Sequence, residues 1–488
     1  MPVSDPCPPP RPRPAAAAAS GRVSGAPSCR RGTARRAAAL AAACAAVGLA
    51  ACGGGGGGDP APAPPAAAAA CDLASQKAWL RDDMAQRYLW NTLSPSPDPA
   101  PYGSLPSYFG ALLFTGGGGI PADRWSYLSD SAAYDQFFAE GRTLGYGVAV
   151  NGAEGRPPLR VRYVEARSPA GVAGLRRGER IVSVNGRSGD ELLRLGDFAA
   201  LSPAREGDSV TLELEPEAGG TRRTVVLRAA TFDLTPVPVV GTLPGPGGRP
   251  VGYLLMKDFI TQAEEPLRTG LAQLRAAGAT ELVLDLRYNG GGRVSTANVL
   301  GSLIVGAERN GQVFTELRYN ARLAAQNTRF TFEASTPGFQ RVVVLTGPRT
   351  CSASELVVNG LAPYLPVATI GGATCGKPYG FNPTPNCGTT VSAVNFESVN
   401  AAGVGRYHDG LPATCSVDDT ATGSFGQPDE ALTAGALGWL ATGRCSAAAA
   451  APRDKAAAAV AATALRRGVV DGPGERPPGM WADRPAPR

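Results

Sequence analysis

Four short, almost unbroken apolar runs constrain this chain more than any other feature: 251–256 (VGYLLM), 281–287 (ELVLDLR), 341–347 (RVVVLTG) and 366–372 (PVATIGG). Strands that read as continuous apolar runs, without alternation, are covered on both faces, as in a parallel sheet flanked by helices. The segment between the first two, EEPLRTGLAQLRAAGA, carries helical spacing and ends at Gly278. Strands alternating with helices predict a layered α/β domain over residues 250–446.

The rest of the chain divides by pattern. Residues 71–140 read as mainly helical, with Leu73, Trp79, Leu80, Met84, Tyr88 and Leu89 at roughly helical spacing. Residues 141–235 alternate short β-rich runs with glycine turns and predict a small, mostly β module. Much of the chain's excess of Gly (63) and Pro (44) sits at its two ends. Residues 53–70 therefore read as a flexible tether, and 447–488 as a disordered tail.

The net charge of +6 is local. Residues 1–51 hold seven Arg and one Asp, which leaves 40 basic and 40 acidic residues for everything after them. A neutral body without a basic stripe excludes nucleic-acid binding as the main activity. Arg30, Arg31, Arg35 and Arg36 precede an apolar run at 37–51, too short to span a bilayer and of the length of a secretory leader. Leu49-Ala50-Ala51-Cys52 is similar to a bacterial lipobox. Residues 1–52 are thus expected to be a lipoprotein signal, with Cys52 the lipidated residue. This places the chain in a bacterial cell envelope, anchored on the periplasmic side of a membrane, the outer one by preference.

Six of ten Cys follow Cys52: Cys71, Cys351, Cys375, Cys387, Cys415 and Cys445. An even number in an exported chain suits disulfides. Cys351 and Cys375 bracket the motif described next, and a bridge between them would tie its two halves. Cys71–Cys445 and Cys387–Cys415 would remain. Without a CxxC pair, and with His408 the single His, no zinc site of the Cys/His kind is expected.

The segment TGPRTCSASELVVNGL runs from a strand into a loop and then a helix near Ser352. Ser352-Ala353-Ser354-Glu355 fits a capping box, so Ser352 is either a helix cap alone or a nucleophile at a helix N-terminus. Lys377 follows 25 residues later in ATCGKPYG. A serine needs a base, and a lysine serves if burial holds it neutral. In LDLRYNGGG, Gly290–Gly292 after a buried strand suit either a plain turn or a loop presenting N–H groups to an oxyanion. No phosphate-loop pattern is present.

Taken together, VGYLLMKDF, LVLDLRYNGGG, TCSASELV and GKPYG resemble the carboxy-terminal processing (tail-specific) proteases over roughly residues 75–445. The resemblance implies a ClpP/crotonase-like α/β core holding a PDZ domain and a Ser/Lys dyad. Ser352 would be the nucleophile and Lys377 the base. The N–H groups of Ala353 and a glycine of the loop, Gly291 by preference, would bind the oxyanion. No cofactor or metal is implied. LGYGV supplies the expected peptide-carboxylate loop, Leu144, Gly145, Tyr146 and Gly147, with Arg142 beside it. One position departs: Phe381 stands where better-known members carry a Gln that orients the Lys, and Tyr379 or Asn382 are the candidates to replace it. The function implied is endopeptidase action on exported proteins, recognised by their C-termini. The alternative is an inactive scaffold that only binds protein C-termini.

Overall fold

The computed structural model describes residues 71–151, 157–333, 338–445 and 479–481. The leader, Cys52 and the tether lie outside the described residues.

The four apolar runs form the middle of one six-stranded sheet. Its order is Val239–Pro244, Pro250–Leu255, Glu281–Asp285, Arg341–Thr346, Val367–Gly371 and Cys415–Ser416. The first pair is an antiparallel hairpin, and every later pairing is parallel. Alternate side chains explain why these strands are apolar throughout. Leu282, Leu284, Val342 and Val344 face the helices Glu264–Ala276, Val294–Val305 and Ala353–Leu361. Val283, Val343, Leu345 and Ile370 face the helix Ala431–Thr442 through Leu432, Ala436 and Leu440.

Residues 71–140 form the helices Leu73–Arg87, Leu105–Leu112 and Ser131–Phe138, with a short strand, Tyr127–Asp130, before the third. Leu80, Met84 and Tyr88 are buried, whereas Leu73 is exposed. This layer packs on the α/β domain through a cluster in which Trp90, Trp125, Tyr379 and Val394 are neighbours. The β module has its own core, with Val161, Ile181, Val210, Leu212 and Leu214 fully buried. Among the described residues no helix is long and apolar enough to cross a membrane.

Two sequence expectations change. Cys71 is bonded to Cys387 and Cys415 to Cys445, so the 71–445 and 387–415 pairings do not form. The first bridge fastens the start of the helical layer to the sheet beside it, and the second joins the edge strand to the end of the last helix. Within the tail, residues 479–481 form a strand instead of lacking structure, and the remainder of 447–488 is outside the described residues.

The end of strand Glu281–Asp285 carries a buried charge cluster. The Arg287 guanidinium donates to Asp285 at 3.0 Å and to both Glu430 oxygens at 2.5 and 2.9 Å. All three side chains are essentially without solvent. Removing one partner of such a cluster strands the others in low dielectric. Arg287→Ala is expected to cost about 3–5 kcal/mol of stability, read as a lowered urea midpoint against wild type; an unchanged midpoint would show that the carboxylates find other partners.

Candidate active site

The parallel strands deliver three loops to one end of the sheet, at their carboxyl ends, where ligands bind in open α/β sheets. The first is the glycine loop, 286–292. The second is 347–352, leading into the helix Ala353–Leu361. The third is 372–377, carrying Lys377.

Ser352 sits between strand and helix with φ +58° and ψ −112°. A non-glycine residue held there is strained, by about 1–3 kcal/mol, and the same sharp turn exposes the serine of nucleophile elbows. The helix begins at the next residue, so the Ala353 N–H has no intrahelical acceptor. It donates to no described group. Ser352, Ala353 and Lys377 are all fully buried. The Ser352 Oγ has no hydrogen-bond partner among the described residues.

Glu355 holds the two loops together. Its carboxylate accepts the Ser352 N–H and the Lys377 N–H on one oxygen, each at 2.8 Å, and the Gly376 N–H at 2.8 Å and the Thr374 hydroxyl on the other. Burial, the largest effect, raises this carboxyl above the usual range, and its hydrogen bonds oppose the rise. The Cys351–Cys375 disulfide adds a covalent tie across the same gap. Gly376 has φ +84°, and a Cβ on it would lie 2.1 Å from the His408 carbonyl, so the close approach there is to the chain's own backbone.

Lys377 is lowered from the ordinary lysine range to about 7, chiefly by burial, against the opposing pull of Asp123 and Glu355. Its Nζ lies 3.4 Å from the Trp125 carbonyl and 4.6 Å from the centre of the Phe381 ring. Trp125 belongs to the helical layer and is 252 residues from Lys377, and nothing in the sequence pointed to it. Both expected substitutes for the Gln have partners of their own. The Tyr379 hydroxyl pairs with His408 Nε2 at 2.6 Å, and Asn382 serves the Tyr319 hydroxyl. The phenyl ring itself faces the amine.

The three matching family models agree with this layout. That for peptidase family S41 covers residues 250–396, that for the PDZ domain 160–216, and that for the peptidase S41 N-terminal domain 75–127. Over these residues the chain resembles peptidase family S41. It is 28% identical over 242 residues to the carboxyl-terminal-processing protease of Picosynechococcus, an alignment covering 49% of this chain and 55% of that one. It is 26% identical over 211 residues to a carboxy-terminal processing protease of Bacillus subtilis, covering 43% and 42%. The chain thus spans about half the length of the curated relatives it matches. A solved Bacteroides fragilis structure described as an S41 protease superposes with a TM-score of 0.58 at 25% identity, over 74% of this chain and 96% of that one.

Two site expectations need correction. The Gly291 N–H is already spent on Asn289 Oδ1 at 2.8 Å, so it is not presented to a ligand. Gly292 turns its N–H away from Phe259, whose pairing uses the Gly291 carbonyl and the Arg293 N–H. In the β module, Leu144 and Gly145 lie in a strand paired with Thr231 and Ala230. Tyr146 is buried in the module's core and offers only its backbone, and Gly147 has φ +77° against Ser168. The N–H groups of Tyr146 and Gly147 donate to no described residue. Arg142 is paired with Asp233 at 3.4 Å. This loop lies ahead of the residues matched as PDZ.

An aromatic face stabilises a nearby ammonium by about 0.5–2 kcal/mol, so the Phe381 ring works against the depression of Lys377. Phe381→Leu keeps the site apolar and removes the ring. We expect the Lys377 inflection to fall by about half a pH unit or more. Lysine ¹³Cε NMR reads this directly, because the chain has only four Lys. An unmoved inflection would mean that the ring does not act on the charge.

Proposed function

We propose that this chain is a serine endopeptidase of the carboxy-terminal processing type, with Ser352 as nucleophile and Lys377 as base. The observation that carries it is a strained, fully buried serine at a helix N-terminus, bound through Glu355 to a lysine whose pKa is about 7. Lys377 Nζ leaves the Trp125 carbonyl and takes the Ser352 hydroxyl proton as Oγ adds to the scissile carbonyl. The Ala353 N–H and a glycine-loop N–H, Gly292 by its orientation, stabilise the oxyanion. Collapse breaks the C–N bond, and Lys377 returns the proton to the leaving amine. Water, deprotonated by Lys377, then hydrolyses the acyl-enzyme and frees Ser352. The chemistry is complete with these side chains.

Substrates on this reading are exported proteins presented by their C-termini. The Tyr146 and Gly147 N–H groups suit a peptide carboxylate. Cleavage of casein by the full chain should vanish in Ser352→Ala and Lys377→Ala. Because the neutral amine is the active form, kcat/KM should rise with pH through about 7 and then level. A rate still climbing at pH 9 would place the base elsewhere.

Binding without cleavage is the second reading, and one observation favours it: the Ser352 Oγ makes no hydrogen bond to Lys377 in this structure. Peptide binding with wild-type casein left intact would give that reading the lead.

The leader is read as a lipoprotein signal acting in a bacterial envelope. Cys52→Ser should move the protein from the membrane fraction to the soluble one, and an unchanged distribution would overturn the anchor.

A further inference from the structure

The glycine strand Gly291–Arg293 has two edges. One is closed: the Phe259 N–H donates to the Gly291 carbonyl at 3.1 Å, and the Arg293 N–H donates to the Phe259 carbonyl at 2.8 Å. Gly292 must be glycine here, since with φ +134° a Cβ would lie 2.2 Å from the Phe259 carbonyl. Alternate residues of a strand direct N–H and C=O to opposite edges. The Gly292 N–H and carbonyl therefore serve the second edge.

Residues 479–481 occupy that edge. They pair with the glycine strand in parallel, Gly291 with Gly479, Gly292 with Met480 and Arg293 with Trp481. The backbone of the same three residues lies near the helix Ala353–Leu361, which Ser352 opens, and near Tyr379–Gly380, two residues past Lys377. An extended segment of the chain thus runs along the glycine loop and beside the elements that follow the other two loops. An unpaired strand edge beside a nucleophile is where an extended peptide adds by main-chain hydrogen bonds.

We propose that residues 479–481 occupy the substrate strand of the chain's own active site, so that the protein is self-blocked until this segment leaves. The proposal rests on the peptidase reading for its meaning but not for its geometry. Three residues give few main-chain bonds, and Pro477 and Pro478 have no N–H with which to extend the ladder. Such an occupant would be weak as a free peptide. Tethered in the same chain it acts at an effective concentration in the millimolar range, so a segment that binds with a Kd of about 0.1 mM fills the edge roughly nine-tenths of the time. A substrate must outcompete it, and exported chains presented at high local concentration by the PDZ module would do so.

The test uses the full chain carrying Ser352→Ala, so that turnover plays no part, with and without Trp481→Pro. The proline removes the N–H at position 481 and changes no residue of the candidate site. Hydrogen exchange read by mass spectrometry should show the 288–296 amides exchanging at least several-fold faster in the double variant. The strands at 281–285 and 341–346 should be unchanged, and a synthetic 471–488 peptide at millimolar concentration should restore the protection. Equal exchange at 288–296 in the two proteins overturns the proposal, as does protection that the peptide fails to restore. In parallel, Trp481→Pro with Ser352 intact should cleave casein several-fold faster than wild type. If exchange behaves as expected and neither protein cleaves casein, the self-blocking contact stands and the peptidase reading falls.

Discussion

A single buried carboxylate decides whether this site exists. Ser352 and Lys377 follow neighbouring parallel strands, whose register sets their loops side by side and lets the Cys375 N–H reach the Thr350 carbonyl at 3.1 Å. Glu355 fixes the two residues themselves, by accepting both N–H groups on one oxygen. The two nitrogens can then be no further apart than two hydrogen bonds laid end to end. The carboxyl is costly to bury, and its four donors offset that cost. The same residue would be read from sequence as the second half of a capping box, a role it fills through the Ser352 N–H. Its larger role is to join the loop of Ser352 to the loop of Lys377, in parallel with the Cys351–Cys375 bridge.

At Lys377 burial outweighs the charges around it. Burial is the largest effect and lowers the amine. Asp123, Glu355 and the Phe381 ring each favour the charged form. The balance at about 7 would suit the base proposed above, which takes and returns a proton. The phenyl ring is thus a conservative departure in one respect: it leaves the amine dry while still holding it. It cannot fix direction as an amide would, and that task falls to the Trp125 carbonyl.

What was legible in the sequence follows from how local each feature is. The parallel sheet could be read because its strands are buried on both faces and so lose their alternation. Ser352 and Lys377 could be read because each stands in a short motif next to a strand end. Trp125 could not, because a backbone carbonyl carries no residue signature and lies in another layer of the fold. The Gly291 expectation failed because three successive glycines look alike in sequence. Only the structure shows that Asn289 takes one N–H and that Phe259 decides where the next one points. The disulfide pairing failed for the four cysteines that no motif ties together, and held where two loops had a second reason to meet. The tail strand was invisible because Gly-Met-Trp between prolines has no strand pattern of its own; the edge it adds to supplies the order.

The glycine loop is anchored from three directions by consecutive residues, and this links the site to the β module. Arg287 turns into the charge cluster with Asp285 and Glu430. Tyr288 turns outward, where its hydroxyl accepts from Arg177 of the module at 2.6 Å and meets Asp419. Asn289 turns back, its side-chain oxygen on the Gly291 N–H and its carbonyl accepting from Cys351 N–H at 3.1 Å and Ser354 Oγ at 2.9 Å. Arg177 also reaches Asp419 at 2.8 Å and stacks 4.4 Å from the Phe425 ring. A displacement of the module would therefore unseat Tyr288, one residue from the group that sets the glycine geometry. Because these contacts are largely dry and charge-assisted, such a shift cannot be gradual: each bond is either made or left unsatisfied at a cost of about 1–3 kcal/mol. The loop is consequently built to hold one arrangement until several contacts give way together.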